Sequence, residues 1–141
     1  MIAVDSSVVV DLLGQDARAE AAEEALRRAL ALGRVVACDV VVAEVVAGLG
    51  YGSDLLETLE DAGIHFSATE LRSAIRAGEM QRRYKQRLKA EKTTSRAPRS
   101  VPDFLIGAHA LLQCTALITR DEGFFRDYFK GLRVIVPALH P

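Results

Sequence analysis

The sequence predicts an α/β domain built on a parallel sheet that helices cover on both faces. Two observations lead to this class. Short, continuously apolar runs, such as Ile2–Val4 and Val35–Cys38, have the length and composition of buried strands. Longer segments alternate with these runs and carry apolar residues at helical spacing, as at Ala22, Leu26 and Leu30. Such alternation is typical of parallel sheets.

The first half of the chain is divided by polar turns and glycines. The turn Asp5-Ser6-Ser7 follows the first strand and starts a helix over residues 8–13, which Gly14 ends. Asp16 can cap a second helix that reaches residue 32. After the strand at residues 35–38, Asp39 starts a helix toward residue 49, and a glycine break precedes a helix over residues 53–62.

The second half continues the alternation. Residues 64–66 form a short strand, and a helix that opens at Ser67 or Thr69 runs past Tyr84. Residues 93–102 form a loop with two prolines. Pro102 suits the first turn of a helix that extends to residue 114. Residues 116–119 form a strand, residues 121–128 a short helix or turn, and residues 133–136 the last strand, which Pro137 ends.

Length and composition bound the possibilities. With 141 residues, the chain is expected to form one domain over residues 1–141. A content of 50% hydrophobic and 26% charged residues is ordinary for a globular protein. The net charge of −1 does not predict a nucleic-acid-binding protein, so any such binding must come from a local patch.

The cysteines and the N-terminal segment predict a cytoplasmic protein without a membrane partner. Cys38 and Cys114 lie among apolar residues, and we expect free thiols in a reducing compartment. Neither has the neighbours of a structural zinc site. The apolar N-terminal segment lacks a basic leader and is interrupted by acids, so we expect neither a signal peptide nor a membrane span.

Four carboxylates stand at informative places. Asp5 follows the first strand, and Asp121 follows the strand at 116–119, so both are expected at the carboxyl edge of the sheet. Glu44 lies inside the apolar run VVAEVVAG, and Asp103 begins an apolar helix. Each has a plainer explanation on its own: Asp5 as a helix cap, Asp121 as a turn residue, Asp103 as an acid at a helix start, and Glu44 as a surface residue.

Together, the four acids predict a metal site. A buried carboxylate without a partner costs several kcal/mol. No matching set of lysines or arginines stands beside these acids in the sequence, so a divalent cation is the expected partner. Hard oxygen ligands select magnesium or manganese. Magnesium usually keeps several waters, which leaves room for a substrate phosphate and an attacking water.

Several segments resemble a known family over nearly the whole length of the chain. They are VDSSV at 4–8, VAEV at 42–45, DFLIGAHA at 103–110, LITRD at 117–121 with Phe125 behind it, and LRVIVP at 132–137. In this order and spacing they resemble the PIN-domain ribonucleases, and among them the VapC toxins of type II toxin–antitoxin pairs.

The resemblance implies a three-layer α/β/α sandwich and a metal-dependent endoribonuclease that acts on tRNA, rRNA or mRNA. It implies Asp5, Glu44, Asp103 and Asp121 as catalytic and metal-binding residues, with Ser6 and Thr119 in support. It also implies Mg²⁺ or Mn²⁺ as cofactor, a homodimer and a cognate antitoxin protein. The chain departs from the family where Ser6-Ser7 replaces the commoner Thr-Asn and where Phe124 stands in place of a further acid.

A basic run leads toward Asp103. Residues 82–99 hold eight lysines and arginines against Glu91 alone. One interpretation is an arm that contacts RNA phosphates, and the other is a solvated helix face and loop. The residues predicted to contact RNA are Arg82, Arg83, Lys85, Arg87, Lys89, Arg96 and Arg99.

Three other functions stay open at this stage. The protein could be a PIN nuclease that processes RNA without being a toxin. It could also be a catalytically inactive PIN scaffold that binds RNA or protein, although a scaffold has no need of four carboxylates. An α/β phosphatase with Asp5 as nucleophile fits less well, because position 7 is Ser and the segment ALITRD lacks a lysine.

Overall fold

The computed structural model describes residues 1–50, 52–91 and 99–139. In these residues, strands and helices alternate along the chain. The five strands are β1 (Ile2–Val4), β2 (Val35–Cys38), β3 (Ile64–Ser67), β4 (Ala116–Ile118) and β5 (Arg133–Ile135). The seven helices are α1 (Ser6–Leu12), α2 (Ala17–Leu32), α3 (Asp39–Leu49), α4 (Gly52–Ala62), α5 (Leu71–Glu91), α6 (Val101–Gln113) and α7 (Glu122–Tyr128).

The five strands form one sheet in the order β3-β2-β1-β4-β5, and every pairing is parallel. Strand β1 lies at the centre, between β2 and β4. The parallel sheet between helical layers confirms the predicted α/β/α fold class. The continuous apolar runs of the strands arise because β1, β2 and β4 are buried at every position.

The core combines aliphatic side chains from the sheet with an aromatic cluster between helices. Tyr84 of α5 packs on Phe104 of α6 with ring centroids 5.5 Å apart, and Phe124 of α7 lies 5.2 Å from Phe104. Gln113 at the end of α6 accepts from the Glu70 amide just before α5, at 2.9 Å. Helices α5 and α6 therefore run antiparallel, and the end of α5 lies beside the start of α6.

The order of the strands indicates where a binding crevice is expected. The chain proceeds from β1 to β2 and β3 on one side, then returns to place β4 on the other side of β1. In parallel α/β sheets, the carboxyl edge at such a reversal is where binding sites form. The residues that follow β1 and β4 therefore lie at the expected position of a site.

The observed elements differ from the predicted ones mainly at their ends. Helix α1 begins at Ser6 rather than at residue 8, because Asp5 acts as the N-cap. Most of the predicted loop, residues 93–98, lies outside the described residues. Within the described part of the chain, no helix combines the length and the apolar character needed to span a bilayer.

Candidate metal-dependent active site

The carboxyl ends of β1 and β4 bring Asp5 and Thr119 into direct contact. Val4 and Ile118 are partners in the parallel register, and the Asp5 amide donates to the Ile118 carbonyl oxygen at 2.9 Å. The fully buried Thr119 hydroxyl donates to Asp5 Oδ2 at 2.6 Å. The pairing of the two strands therefore fixes the position of the Asp5 carboxylate.

Both oxygens of the Asp5 carboxylate accept hydrogen bonds. Oδ1 accepts from the Ser6 amide at 2.8 Å and lies 3.3 Å from the Ser6 hydroxyl. Oδ2 accepts from the Ser7 hydroxyl at 3.3 Å in addition to Thr119. Burial raises the pKa of Asp5, whereas the bonds from Thr119, Ser6 and Ser7 lower it, and the net direction is upward. Asp5 is thus a firmly oriented carboxylate that gains from a nearby positive charge.

Glu44 projects from α3 toward the same point. Its Oε1 accepts from the Ser6 hydroxyl at 3.2 Å, so the Ser6 side chain lies between the carboxylates of Asp5 and Glu44. Burial raises the pKa of Glu44, the Ser6 bond lowers it, and the charges of Asp103 and Asp5 raise it again. The repulsion shows that these three carboxylates lie close enough to interact.

Asp103 lies in the first turn of α6. Its Oδ2 accepts from the Ser100 amide at 3.2 Å and from the Ser100 hydroxyl at 3.4 Å, which ties the start of the helix to the preceding residue. Carboxylates are favoured at helix N-termini by the free amides and the dipole. The helix start therefore fixes the Asp103 carboxylate, whose charge acts on Glu44.

Asp121 already has a cationic partner. Arg99 Nη1 lies 2.5 Å from Asp121 Oδ2, and the guanidinium stacks over the Phe124 ring at 4.4 Å. Burial lowers the pKa of Arg99, but the bond and the charge of Asp121 outweigh it, and the net direction is upward. The Asp121 amide donates to the Thr119 hydroxyl at 3.0 Å. No matching set of lysines or arginines stands beside the four acids in the sequence, and the fold supplies one arginine, to Asp121, from 22 positions away in sequence.

Comparison with known proteins decides the family. The model of the family described as "PIN domain" matches residues 2–130, which is most of the chain. The chain belongs to the PIN domain family.

Solved structures agree with the PIN fold. FitAcB from Neisseria gonorrhoeae is 23% identical, with a TM-score of 0.63 over 97% of this chain and 98% of that one. A toxin–antitoxin complex from Klebsiella pneumoniae is 19% identical, with a TM-score of 0.64 over 99% and 100%. VapBC2 from Rickettsia felis, bound to a promoter DNA fragment, is 16% identical, with a TM-score of 0.64 over 96% and 98%. No curated protein sequence matches the chain.

In this PIN domain, the four predicted acids converge at one edge of the sheet: Asp5 follows β1, Asp121 follows β4, and Glu44 and Asp103 lie in α3 and α6. Ser6 joins Asp5 to Glu44, Thr119 joins Asp5 to Asp121, and the charges of Asp103 and Asp121 both act on Arg99. We call Asp5, Glu44, Asp103 and Asp121 the acidic cluster. His109, also on α6, is buried away from it and lies 3.0 Å from the Ser67 hydroxyl.

The donors of the acidic cluster fit a hydrated divalent ion. Carboxylate and hydroxyl oxygens are hard ligands that suit magnesium or manganese. Among the described residues, no three His, Cys, Asp or Glu side chains are arranged to hold a metal ion by themselves. Magnesium usually keeps several waters, so a partial set of carboxylates is compatible with it. The fit is to an ion held partly through water.

The basic run is divided by the structure. Arg82, Arg83, Lys85, Arg87 and Lys89 are exposed along α5, whereas Arg96 lies outside the described residues. Arg99 points into the acidic cluster. Tyr84 is buried, and its hydroxyl accepts from the Arg99 amide at 2.9 Å.

Two supporting residues and one ion pair were not predicted from the sequence. The Ser7 hydroxyl bonds Asp5, and Ser100 bonds Asp103. The spacing Ser100-x-x-Asp103 before an apolar run is a known signal of a capped helix start and could have identified the second. No local sequence pattern predicts the ion pair between Arg99 and Asp121.

Proposed function

We propose that this PIN domain is a divalent-metal-dependent endoribonuclease and the toxin of a toxin–antitoxin pair. The observation that carries the proposal is the convergence of four carboxylates, from four separate parts of the chain, at the carboxyl edge between β1 and β4. The similarity to the toxin–antitoxin complex from Klebsiella pneumoniae supports the biological assignment. RNA as substrate, an antitoxin partner and a homodimer belong to this proposal.

The residues of the cluster would share the work of phosphodiester hydrolysis. Asp5, Glu44 and Asp103 would hold Mg²⁺ or Mn²⁺, directly or through water, and Asp121 would join them when Arg99 releases it. When bound, the ion lowers the pKa of a water molecule and offsets charge on the phosphate. Thr119, Ser6 and Ser7 keep Asp5 in one orientation. Glu44 Oε1 is engaged by Ser6, and Oε2 would orient the attacking water or contact the ion.

The first test is cleavage of a mixed pool of transfer and ribosomal RNA by the purified protein. Discrete fragments should appear with magnesium and disappear with a chelator. Asp103→Asn should abolish cleavage and leave the circular dichroism spectrum unchanged, because the amide keeps the shape of the side chain but loses its charge. Asp61→Asn, the same change at an exposed position of α4, is the matched control. Cleavage by Asp103→Asn at the rate of the unaltered protein would show that the site is assigned wrongly.

The toxin assignment needs a separate test. Expression of the protein should arrest growth, and the product of a small reading frame next to its gene should bind the protein and relieve the arrest. An active nuclease that arrests nothing and has no such neighbour would instead be a PIN enzyme of RNA processing.

One observation favours a second candidate. The Arg99 guanidinium already neutralises Asp121, as a bound cation would, and this suits a PIN scaffold that binds RNA or protein without cutting it. Such a scaffold would bind RNA equally well with magnesium or with chelator, and it would yield no fragments after removal of any copurified inhibitor.

A further inference from the structure

The basic run separates into two faces of helix α5. Arg76, Arg83 and Arg87 are seven and four residues apart, a spacing that places them along one side of a helix. Arg82 and Lys85 line a different depression with Gly78 and Gln81. The two sets of cations therefore face different surroundings, although they alternate in the sequence.

The first face borders a groove against α7. We call it the α5–α7 groove, and its polar lining consists of Arg76, Arg83, Gln86, Arg87, Asp127, Tyr128 and Lys130. Its volume is about 540 Å³, and Met80, Leu111 and Phe129 contribute apolar lining. From Arg76 to Arg87 the helix advances by about 16 Å at 1.5 Å per residue. The groove is thus an elongated, positively charged depression.

Most of its positive charge lacks a protein partner. Within the described residues, Arg76, Arg83 and Lys130 make no ion pair, and Arg87 pairs with Glu91 at 3.0 Å. Arg28, Arg72, Arg99, Arg120 and Arg126, by contrast, each lie against an acid. Of the residues that the structure describes, Asp127 is the one acid that lines the groove. In a chain with a net charge of −1, this concentration of unpaired cations marks a surface for an anionic ligand.

The groove is joined to the acidic cluster by a series of side-chain contacts. The Arg87 guanidinium lies 5.9 Å from the Tyr128 ring, and the Tyr128 and Tyr84 rings are 5.5 Å apart. The Tyr84 hydroxyl accepts from the Arg99 amide, and Arg99 pairs with Asp121. These contacts place Arg99, which pairs with the acidic cluster, two aromatic rings away from Arg87 of the groove.

We propose that the α5–α7 groove binds the phosphodiester backbone of single-stranded RNA and leads it to the acidic cluster. The inference rests on the proposed function, since it takes RNA as the substrate. A row of cations beside a partly exposed aromatic ring, Tyr128, is the combination that binds single strands without sequence preference. The arginines pair with phosphates through charge-assisted hydrogen bonds. The proposal assigns RNA contact to one face of α5 and withdraws it from the other.

The test compares two triple variants that remove the same charge from the same region. The groove variant, Arg76→Ala/Arg83→Ala/Lys130→Ala, removes three of the four described cations that line the groove. Arg82→Ala/Lys85→Ala/Lys89→Ala removes three cations from the other side of α5, at a spacing of three and four residues. All six side chains are exposed, and both variants should melt at the temperature of the parent protein. Binding is measured in an Asp103→Asn background, so that no RNA is cut.

The readout is the affinity for a labelled, unstructured RNA as a function of salt. Each phosphate contact on a single strand contributes about 0.7 to the slope of log affinity against log salt. The groove variant should lose about 2 from the magnitude of this slope, and the control variant should lose far less. Asp127→Asn should change affinity in the opposite direction and bind RNA more tightly at low salt.

The outcomes separate this inference from the proposed function. Loss of slope in the groove variant alone supports the groove, even if the unaltered protein cuts no RNA and the nuclease assignment fails. Equal losses in both triple variants would mean a diffuse charged surface and would overturn the groove. An unchanged slope in the groove variant overturns it as well, whether or not the unaltered protein cleaves RNA. Tighter capture of an acidic peptide than of RNA by the groove would point to a protein ligand and would also overturn it.

Discussion

At the scale of single residues, the acids of the cluster are held in different ways. Asp5 accepts bonds from three side-chain hydroxyls and one amide, so its position is set by the fold. The side chain of Asp121 forms an ion pair with Arg99, and the Arg99 side chain is about one-third exposed. An ion pair at the surface exchanges partners easily, because solvent screens the attraction. We therefore regard Asp5 as the fixed member of the cluster and Asp121 as the exchangeable one.

The exchangeable pair leads to a prediction about metal affinity. Arg99→Ala should bind Mn²⁺ more tightly than the unaltered protein, by a factor of up to about five, because Asp121 no longer has to leave an ion pair worth up to about 1 kcal/mol before it serves as a ligand. Titration calorimetry on RNA-free protein measures this directly. Arg28→Ala, which breaks a comparable pair with Glu24 on α2, is the control and should leave the affinity unchanged. Equal Mn²⁺ affinity in both variants would mean that Asp121 and Arg99 do not compete for the ion.

Glu44 leads to a prediction about pH. Because the folded-state pKa of Glu44 is raised by burial and by the charges of Asp103 and Asp5, ionising it costs stability, and the cost appears as pH rises through that pKa. Without metal, Glu44→Gln should therefore melt at a higher temperature than the parent near neutral pH.

The side chain is partly exposed, so the gain should be within about 1 kcal/mol. It should vanish as the pH falls to about 4, near the ordinary pKa of a glutamate. Thermal melts in chelator across this range provide the measurement, with Glu57→Gln on the exposed face of α4 as control. A stability gain that persists at low pH would contradict the electrostatic explanation.

At the scale of elements, the position of the cluster depends on how closely α6 packs. Helix α6 carries Asp103 and passes over the Phe129 ring at Gly107. A Cβ at position 107 would lie 2.6 Å from Phe129 Cδ2, and the ring is 1% exposed and cannot move aside. The glycine is needed here for close approach rather than for an unusual backbone angle.

Gly107→Ala should destabilise the domain by about 1–3 kcal/mol, as overpacking of a core does. Gly78→Ala is the matched control on α5, since a Cβ there meets no atom within 4 Å. The control should gain roughly 0.5–1 kcal/mol from the better helix propensity of alanine. Urea unfolding of both variants compares them on one scale, and a neutral Gly107→Ala would show that α6 can shift away from the ring.

The same scale shows what the sequence could predict. Strands β1, β2 and β4 were evident because buried parallel strands are apolar at every position, and α6 was evident because Pro102 marks its first turn. The acids were identified by their place at the ends of strands and starts of helices. The pair between Arg99 and Asp121 could not be predicted, because it joins two loops whose distance depends on the folded sheet.

The division of the basic run between two faces of α5 could be predicted in part from the sequence. Helical spacing alone separates Arg76, Arg83 and Arg87 from Arg82 and Lys85. It does not say which face meets α7, and Lys130 joins the groove only through the packing of that helix. The composition of this run indicates one basic patch, whereas the packing of α5 divides its cations between two faces of the helix.

At the scale of the whole molecule, the acidic cluster and the unpaired cations lie on different parts of the surface. The acidic cluster occupies the edge between β1 and β4, and unpaired cations collect beside α7. The net charge of −1 conceals this separation. The effect of salt on RNA affinity should therefore depend on the cations of one face. For this reason, the salt dependence of two variants with the same net charge can show which face of α5 contacts RNA.

The central position of β1 has a consequence for protein synthesis. Of the five strands, the ribosome makes the middle one, β1, first. Strand β4, which pairs with the other edge of β1, is made only after five further helices and two strands have followed α1. The bond between Thr119 and Asp5 spans 114 residues. A growing chain therefore carries Asp5 without the residues that orient it, and the proposed cutting site cannot assemble beside the ribosome until translation of the domain is nearly complete.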